Sequence, residues 1–140
     1  MKTILCYGDS NTWGYALSSL NFETGYCERY PREVRWTGRL QALLGKDYRV
    51  IEEGLCGRTT NVDNPRELGG ADSNGKTYLG PCLFSHAPID WVILMLGGND
   101  FKVALNRTPE EARPGLTYRE VYGSPAPDRR KNPAKASIVP

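Results

Sequence analysis

Three short polar stretches carry the residues whose types and spacing could do chemistry. Gly8-Asp9-Ser10-Asn11 ends an apolar run close to the start of the chain, and a serine on a sharp turn after a strand has the exposed hydroxyl that a nucleophile needs. The same residue types dominate helix N-caps, so a cap made by Asp9, Ser10 or Asn11 is an equally good reading of those four letters. Gly54-Leu55-Cys56-Gly57 follows a second short run, and Gly97-Gly98-Asn99-Asp100 a third. A hydroxyl on Ser10, an unhindered backbone N–H on Gly57 and the side-chain amide of Asn99 are the parts of acyl transfer. They amount to one nucleophile and two oxyanion donors, each donor worth roughly 3 kcal/mol in the transition state. Singly they are weak signals, because glycine turns are mostly structural and Asn99 or Asp100 also suits a helix cap.

Other chemistries are poorly supplied. His86 is the single histidine, and Cys6, Cys27, Cys56 and Cys82 form no C-x-x-C pair, so no zinc centre is expected and the cysteines read as free thiols. The 18 basic and 16 acidic residues leave a formal charge of +2, which sets up no extended field for nucleic acid or an anionic membrane. Arg129, Arg130, Lys131 and Lys135 are the one local bias and read as a solvated tail. The first apolar run stops at Gly8-Asp9, too short for a signal-peptide core or a membrane span, and the expectation is a cytoplasmic chain without a membrane partner. No glycine turn matches a phosphate loop, which ranks a nucleotide-binding module well below the other readings.

The elements that must position these residues follow from the apolar runs. Residues 3–7 and 48–52 read as strands, and the unbroken run in residues 90–96 reads as a central parallel strand. Between them, Trp36, Leu40, Leu43 and Leu44 lie at helical spacing with Gly45 as C-cap, and residues 77–86 suggest a helix bent near Pro81. Residues 12–35 read as a long loop with room for a helical turn, and residues 61–76 as a surface loop. Thr108-Pro109-Glu110-Glu111 is a helix start, with Thr108 as N-cap and Glu111 closing a capping box. Strands alternating with helices predict a doubly wound α/β sheet with right-handed crossovers. In a parallel sheet the turns after the strands share the carboxyl edge, so Ser10, Gly57 and Asn99 are expected to converge. The 140 residues suit one domain over 1–123, followed by an irregular, basic and proline-rich tail over 124–140.

In order and spacing, the three polar blocks resemble the first three blocks of the SGNH (GDSL-type) hydrolases. Arg35-Trp36-Thr37-Gly38, Ile51-Glu52-Glu53-Gly54-Leu55, Arg58-Thr59-Thr60-Asn61 and Asp90-Trp91-Val92-Ile93-Leu94-Met95-Leu96 look like the small bacterial arylesterase and acyltransferase branch. The resemblance covers residues 2–111. It implies a flavodoxin-like three-layer α/β/α sandwich with a parallel sheet, Ser10 as nucleophile, and an oxyanion hole from the Ser10 N–H, the Gly57 N–H and the Asn99 side chain. Asp9 and Asn11 would support the nucleophile turn. It further implies small-molecule esters of short acids as substrates, acyl transfer to alcohols, no metal or cofactor, and homo-oligomers that wall the active site.

The family also closes with an Asp-x-x-His block that supplies the base, and this sequence contains none. His86 precedes its strand whereas Ser10 follows one, and six residues at about 3.3 Å each put the two rims on the order of 20 Å apart. The expected role of His86 is therefore structural, at a helix end or beside Asp90. Family members continue with two further strands and a closing helix, while here the pattern fades at Pro114 and Gly115. The expectation is a fold incomplete at its C-terminal end, from a shortened gene or altered frame, with one sheet flank exposed unless another chain or the tail covers it, which favours a homo-oligomer. The function expected is a serine ester hydrolase, weak or dependent on a base from another subunit. The alternative is an inactive remnant or interaction module of the same fold.

Overall fold

A computed structural model of the chain describes residues 1–64 and 73–112 in full and residues 135–138 by their backbone. Strands β1 (Lys2–Gly8), β2 (Tyr48–Gly54), β3 (Trp91–Met95) and β4 (Lys135–Ile138) form one sheet in the order β2-β1-β3-β4. Every pairing in it is parallel. Side chains alternate between faces, so the two halves of β1 serve two cores. Leu5 and Tyr7 join Val92 and Leu94 on one face, under Leu79, Cys82 and Leu83 of helix α3 (Gly75–Ser85). Ile4 and Cys6 join Val50 on the other, under Trp36, Leu40 and Leu44 of helix α2 (Trp36–Leu44). Burial on both faces is why β1 and β3 read as unbroken apolar runs. The result is the expected three-layer α/β/α sandwich.

Two local expectations need correction. Leu43 does not join the α2 stripe and is 85% exposed. The buried side of α2 is centred on Thr37, Leu40 and Leu44, roughly 100° round the helix from Leu43. Gln41 adds to that side by bonding the β2 backbone, donating to the Tyr48 carbonyl at 2.9 Å and accepting from the Val50 N–H at 2.8 Å. The second correction concerns the tail. Residues 135–138 lie in the stretch expected to be irregular, yet they pair with β3 as a fourth strand, so of the two covers expected for that flank it is the tail that supplies one. Lys-Ala-Ser-Ile has no apolar run to signal this, since backbone pairing needs none. The rest of the tail, and residues 113–123 before it, lie outside the described residues.

The remaining elements are short. Within the stretch expected to be a loop, α1 (Ser10–Trp13) and a single 3-10 turn at Leu17–Ser19 form. Asn74 caps α3 by accepting from the Lys76 N–H at 3.2 Å, two residues earlier than the expected start, and Pro81 sits inside the helix. Ahead of α4 (Pro109–Ala112) the capping box closes as expected: the Thr108 N–H donates to Glu111 Oε2 at 2.8 Å, and the Glu111 N–H to Thr108 Oγ1 at 3.4 Å. Among the described residues no helix is long and apolar enough to cross a membrane.

The end of β2 packs directly on α1, which carries Ser10. A Cβ at Gly54 would stand 2.1 Å from the backbone nitrogen of Trp13 and 2.5 Å from its Cα. Backbone atoms yield only by moving the whole turn, so Gly54→Ala is expected to lower stability by about 1–3 kcal/mol. Urea unfolding measures this, and an unchanged midpoint would contradict the close approach.

Candidate active site

The strand order β2-β1-β3-β4 reverses direction between β1 and β3, and such a switch point at the carboxyl edge of a parallel sheet is where open α/β folds bind ligands. Ser10 follows β1 and Asn99 follows β3. The sequence left nucleophile and helix cap as alternatives for the first turn, and the structure gives the capping role to Asp9. Asp9 Oδ1 accepts from the Asn11 N–H at 2.9 Å and from Asn11 Nδ2 at 3.2 Å, and α1 then starts at Ser10. Asn11 thereby fixes the carboxylate that caps the helix. The Ser10 carbonyl accepts from the N–H groups of Gly14 and Tyr15 at 2.9 and 3.0 Å, while Gly14, at φ +93°, ends the helix in the left-handed region.

The second loop is equally constrained. Gly57 is buried at φ +77°, a conformation that costs glycine little and other residues more. Its carbonyl accepts from Asn64 Nδ2 at 3.3 Å. Arg58, 97% buried, binds this loop to the end of β1: one Nη1 donates to the Gly8 carbonyl at 3.0 Å and to the Glu53 carbonyl at 2.5 Å. Its guanidinium lies 4.1 Å from the centroid of the Tyr7 ring, a cation–π contact in a desolvated setting. Burial raises the Tyr7 phenol well above its ordinary range, against the lowering effect of Arg58, so it remains a neutral donor to the Gly75 carbonyl at 2.7 Å.

The third loop is tied to the second at two points. Asn99 Nδ2 donates to the Arg58 carbonyl at 3.0 Å, which uses one of its two amide hydrogens. Asp100, fully buried, accepts from the Thr60 N–H at 2.9 Å, from the Thr60 hydroxyl at 2.6 Å and from Arg107 Nη1 at 2.6 Å. Arg107 also donates to the Glu111 carbonyl in α4. The network therefore runs from α4 through Asp100 to the residue three places after Gly57.

These ties bring Ser10, Gly57 and Asn99 to the walls of one cavity of about 270 Å³, which Tyr15, Cys56 and Lys102 complete. The last three were missed in the sequence. Lys102 sits one turn after Asn99, with its N–H bonded to the Asn99 carbonyl at 3.3 Å, a spacing that could have pointed to it. Tyr15 carried no comparable signal, since the path of residues 12–35 was not readable.

His86 does not border this cavity. It caps the C-terminus of α3, as expected of a structural residue, but its partner is Glu53 and not Asp90: Nε2 lies 2.7 Å from Glu53 Oε1. Asp90 is occupied by the Thr3 N–H at 2.7 Å. Among the described residues no imidazole or carboxylate hydrogen-bonds the Ser10 hydroxyl. All four cysteines are free thiols.

Comparison with known proteins fits this picture. The family model described as the GDSL-like Lipase/Acylhydrolase family matches residues 6–133. Among solved structures, the chain is 46% identical to the native aryl esterase of M. smegmatis, over 83% of this chain and 51% of that one, with a TM-score of 0.75. The inhibitor-bound form of that aryl esterase aligns over 99% of this chain and 63% of its own, at 40% identity and a TM-score of 0.78. A carbohydrate acetylesterase from Sinorhizobium meliloti is 41% identical over 99% of this chain and 63% of that one, again with a TM-score of 0.78. The chain thus spans between half and two thirds of the length of these structures. No curated protein matches it.

Proposed function

The chain belongs to the GDSL-like lipase/acylhydrolase family, and on that premise we propose that it is a serine ester hydrolase acting on small esters of short acids, aryl esters among them, with acyl transfer to alcohols as a second outcome. The Ser10 oxygen attacks the ester carbonyl carbon and its proton leaves to a base. The carbonyl oxygen, now negative, is held by the Ser10 N–H, the Gly57 N–H and an Asn99 amide hydrogen. Collapse of the tetrahedral species breaks the bond to the alcohol oxygen and leaves an acyl group on Ser10, which water or another alcohol then removes. The observation that carries this reading is that Ser10, Gly57 and Asn99 border one cavity. The first N–H groups of a helix lack intrahelical partners, which leaves the Ser10 N–H available as a donor. A cavity of about 270 Å³ favours a short acyl group over a long one.

The base is the open part of the mechanism. With no imidazole or carboxylate on the Ser10 hydroxyl among the described residues, the proton passes to water or to a group outside those residues, one from a second copy of the chain included. That same observation favours the alternative, an inactive module of the same fold. Incubation with a fluorophosphonate, followed by peptide mass spectrometry, separates the two. The expected result is one adduct, on Ser10. An adduct elsewhere, or none, overturns the hydrolase reading. Labelling that accelerates more than in proportion to protein concentration identifies a base from a second copy.

A further inference from the structure

We propose that Glu53, Cys82 and His86 form a binding site for a divalent metal ion of the zinc type, on the α3 face of the sheet and apart from the Ser10 cavity. One carboxylate oxygen, the thiol sulfur and one imidazole nitrogen lie within 4.8 Å of one another. The topology brings them together for a clear reason. Cys82 and His86 are four residues apart at the end of α3, a spacing that puts both on one helix face. Glu53 pairs with Tyr7 across β2 and β1, so its side chain leaves the sheet on the Tyr7 side, where α3 packs.

The donor set is specific in kind. Thiolate, imidazole and carboxylate together suit a borderline-soft ion better than magnesium or calcium, which take oxygen. Zinc bonds of about 2.0–2.3 Å at tetrahedral angles place ligand atoms roughly 3.3–3.6 Å apart. The 2.7 Å contact between Glu53 and His86 must therefore open, and both side chains have room to turn, being 21% and 28% exposed. Their exposed side also leaves a fourth position for water, while Cys82, fully buried, closes the back of the site. Binding is balanced as follows: Cys82 loses its thiol proton to solvent as sulfur bonds the metal, and the Nε2 proton that His86 shares with Glu53 moves to Nδ1 or, from an imidazolium, leaves to solvent, so that Glu53 and His86 each turn one lone pair to the metal. The bound imidazole is then neutral, with its proton on Nδ1. Two negative ligands match a doubly positive ion, so the occupied site is neutral overall beside Arg58.

The plainer reading is a Glu53–His86 ion pair that merely clasps the end of α3, and it gives Cys82 no part. Titration of the reduced full chain with cobalt(II) distinguishes them. One ion per chain is expected, with a thiolate-to-cobalt charge-transfer band in the near ultraviolet that zinc abolishes by displacement. Cys27→Ser and Cys56→Ser are expected to keep the band, Cys82→Ser to lose it, and His86→Gln to weaken cobalt affinity at least tenfold. No band in the unsubstituted chain, or a band that survives Cys82→Ser, overturns the proposal. Should Cys82→Ser fail to fold, His86→Gln decides alone: unchanged cobalt affinity overturns it, since that half-exposed side chain is replaceable without emptying the core. These readouts do not depend on ester hydrolysis, so the site stands or falls apart from the proposed activity.

Discussion

Ser10→Ala is expected to slow hydrolysis of 4-nitrophenyl acetate by about 10²- to 10⁴-fold while leaving the fold unchanged. Removing the nucleophile from a complete serine hydrolase costs on the order of 10⁶ in turnover, and a positioned base accounts for about 10² to 10⁴ of such a rate. No imidazole or carboxylate among the described residues bonds the Ser10 hydroxyl, and where the proton passes to water only the remainder is available to lose. That remainder is what the oxyanion donors contribute, and they are aimed at an adduct on Ser10. Stability should change by less than about 0.5 kcal/mol, because the hydroxyl holds no hydrogen bond to another described residue and the side chain is half-buried. Initial rates at matched concentration, with circular dichroism as the control on folding, test both halves. Equal rates for the two chains would sink the hydrolase reading. A loss of rate accompanied by a loss of structure would say nothing special about Ser10.

The sheet and its rim were legible in the sequence for one physical reason. A parallel strand covered on both faces has to be apolar along its length, so β1 and β3 announce themselves, and the polar turns at their ends must share an edge. Ser10, Gly57 and Asn99 come together on that logic alone. What was not legible depends on side-chain reach or on bare backbone. The rise per residue puts His86 a full strand away from the carboxyl edge, yet His86 meets Glu53, the next-to-last residue of β2. Counting strand residues ignores that α3 runs back along the sheet and that two long side chains span the remaining gap. The same limit hid the second coupling of the rim. In the sequence Arg58 is only one letter of the stretch Arg58-Thr59-Thr60-Asn61, whereas in the fold its guanidinium is buried on Tyr7 and joins the ends of β1 and β2. The strand at Lys135–Ile138 carries no hydrophobic pattern, and only the open edge of β3 selects it.

Asp100→Ala is expected to be the most destabilising single change at this rim, at about 3–5 kcal/mol. The carboxylate is fully buried and takes three donors, the Thr60 N–H, the Thr60 hydroxyl and Arg107 Nη1. Alanine would strand all three, and Arg107, whose side chain is 12% exposed, would remain as a cation with no carboxylate to meet. Breaking one side of a buried charged pair costs about this much because the survivor cannot be rehydrated in place. Against a total stability of roughly 5–15 kcal/mol for a domain of this kind, that loss is large. Asp100→Asn keeps the shape and one acceptor but turns an N–H towards donors, so its midpoint should fall between the other two. The consequence for chemistry follows from position. Asp100 is the residue after Asn99 and its partner Thr60 is three places beyond Gly57, so the pair sets the distance between two proposed oxyanion donors. In Asp100→Asn, where enough structure survives to assay, the loss should appear in kcat with KM nearly unchanged, since those donors act on the transition state and not on the bound ester. Urea unfolding and steady-state kinetics on the two variants check this. A loss of less than about 0.5 kcal/mol in Asp100→Ala would show that Thr60 and Arg107 find other partners, and a change confined to KM in Asp100→Asn would remove Asp100 from the positioning of the site.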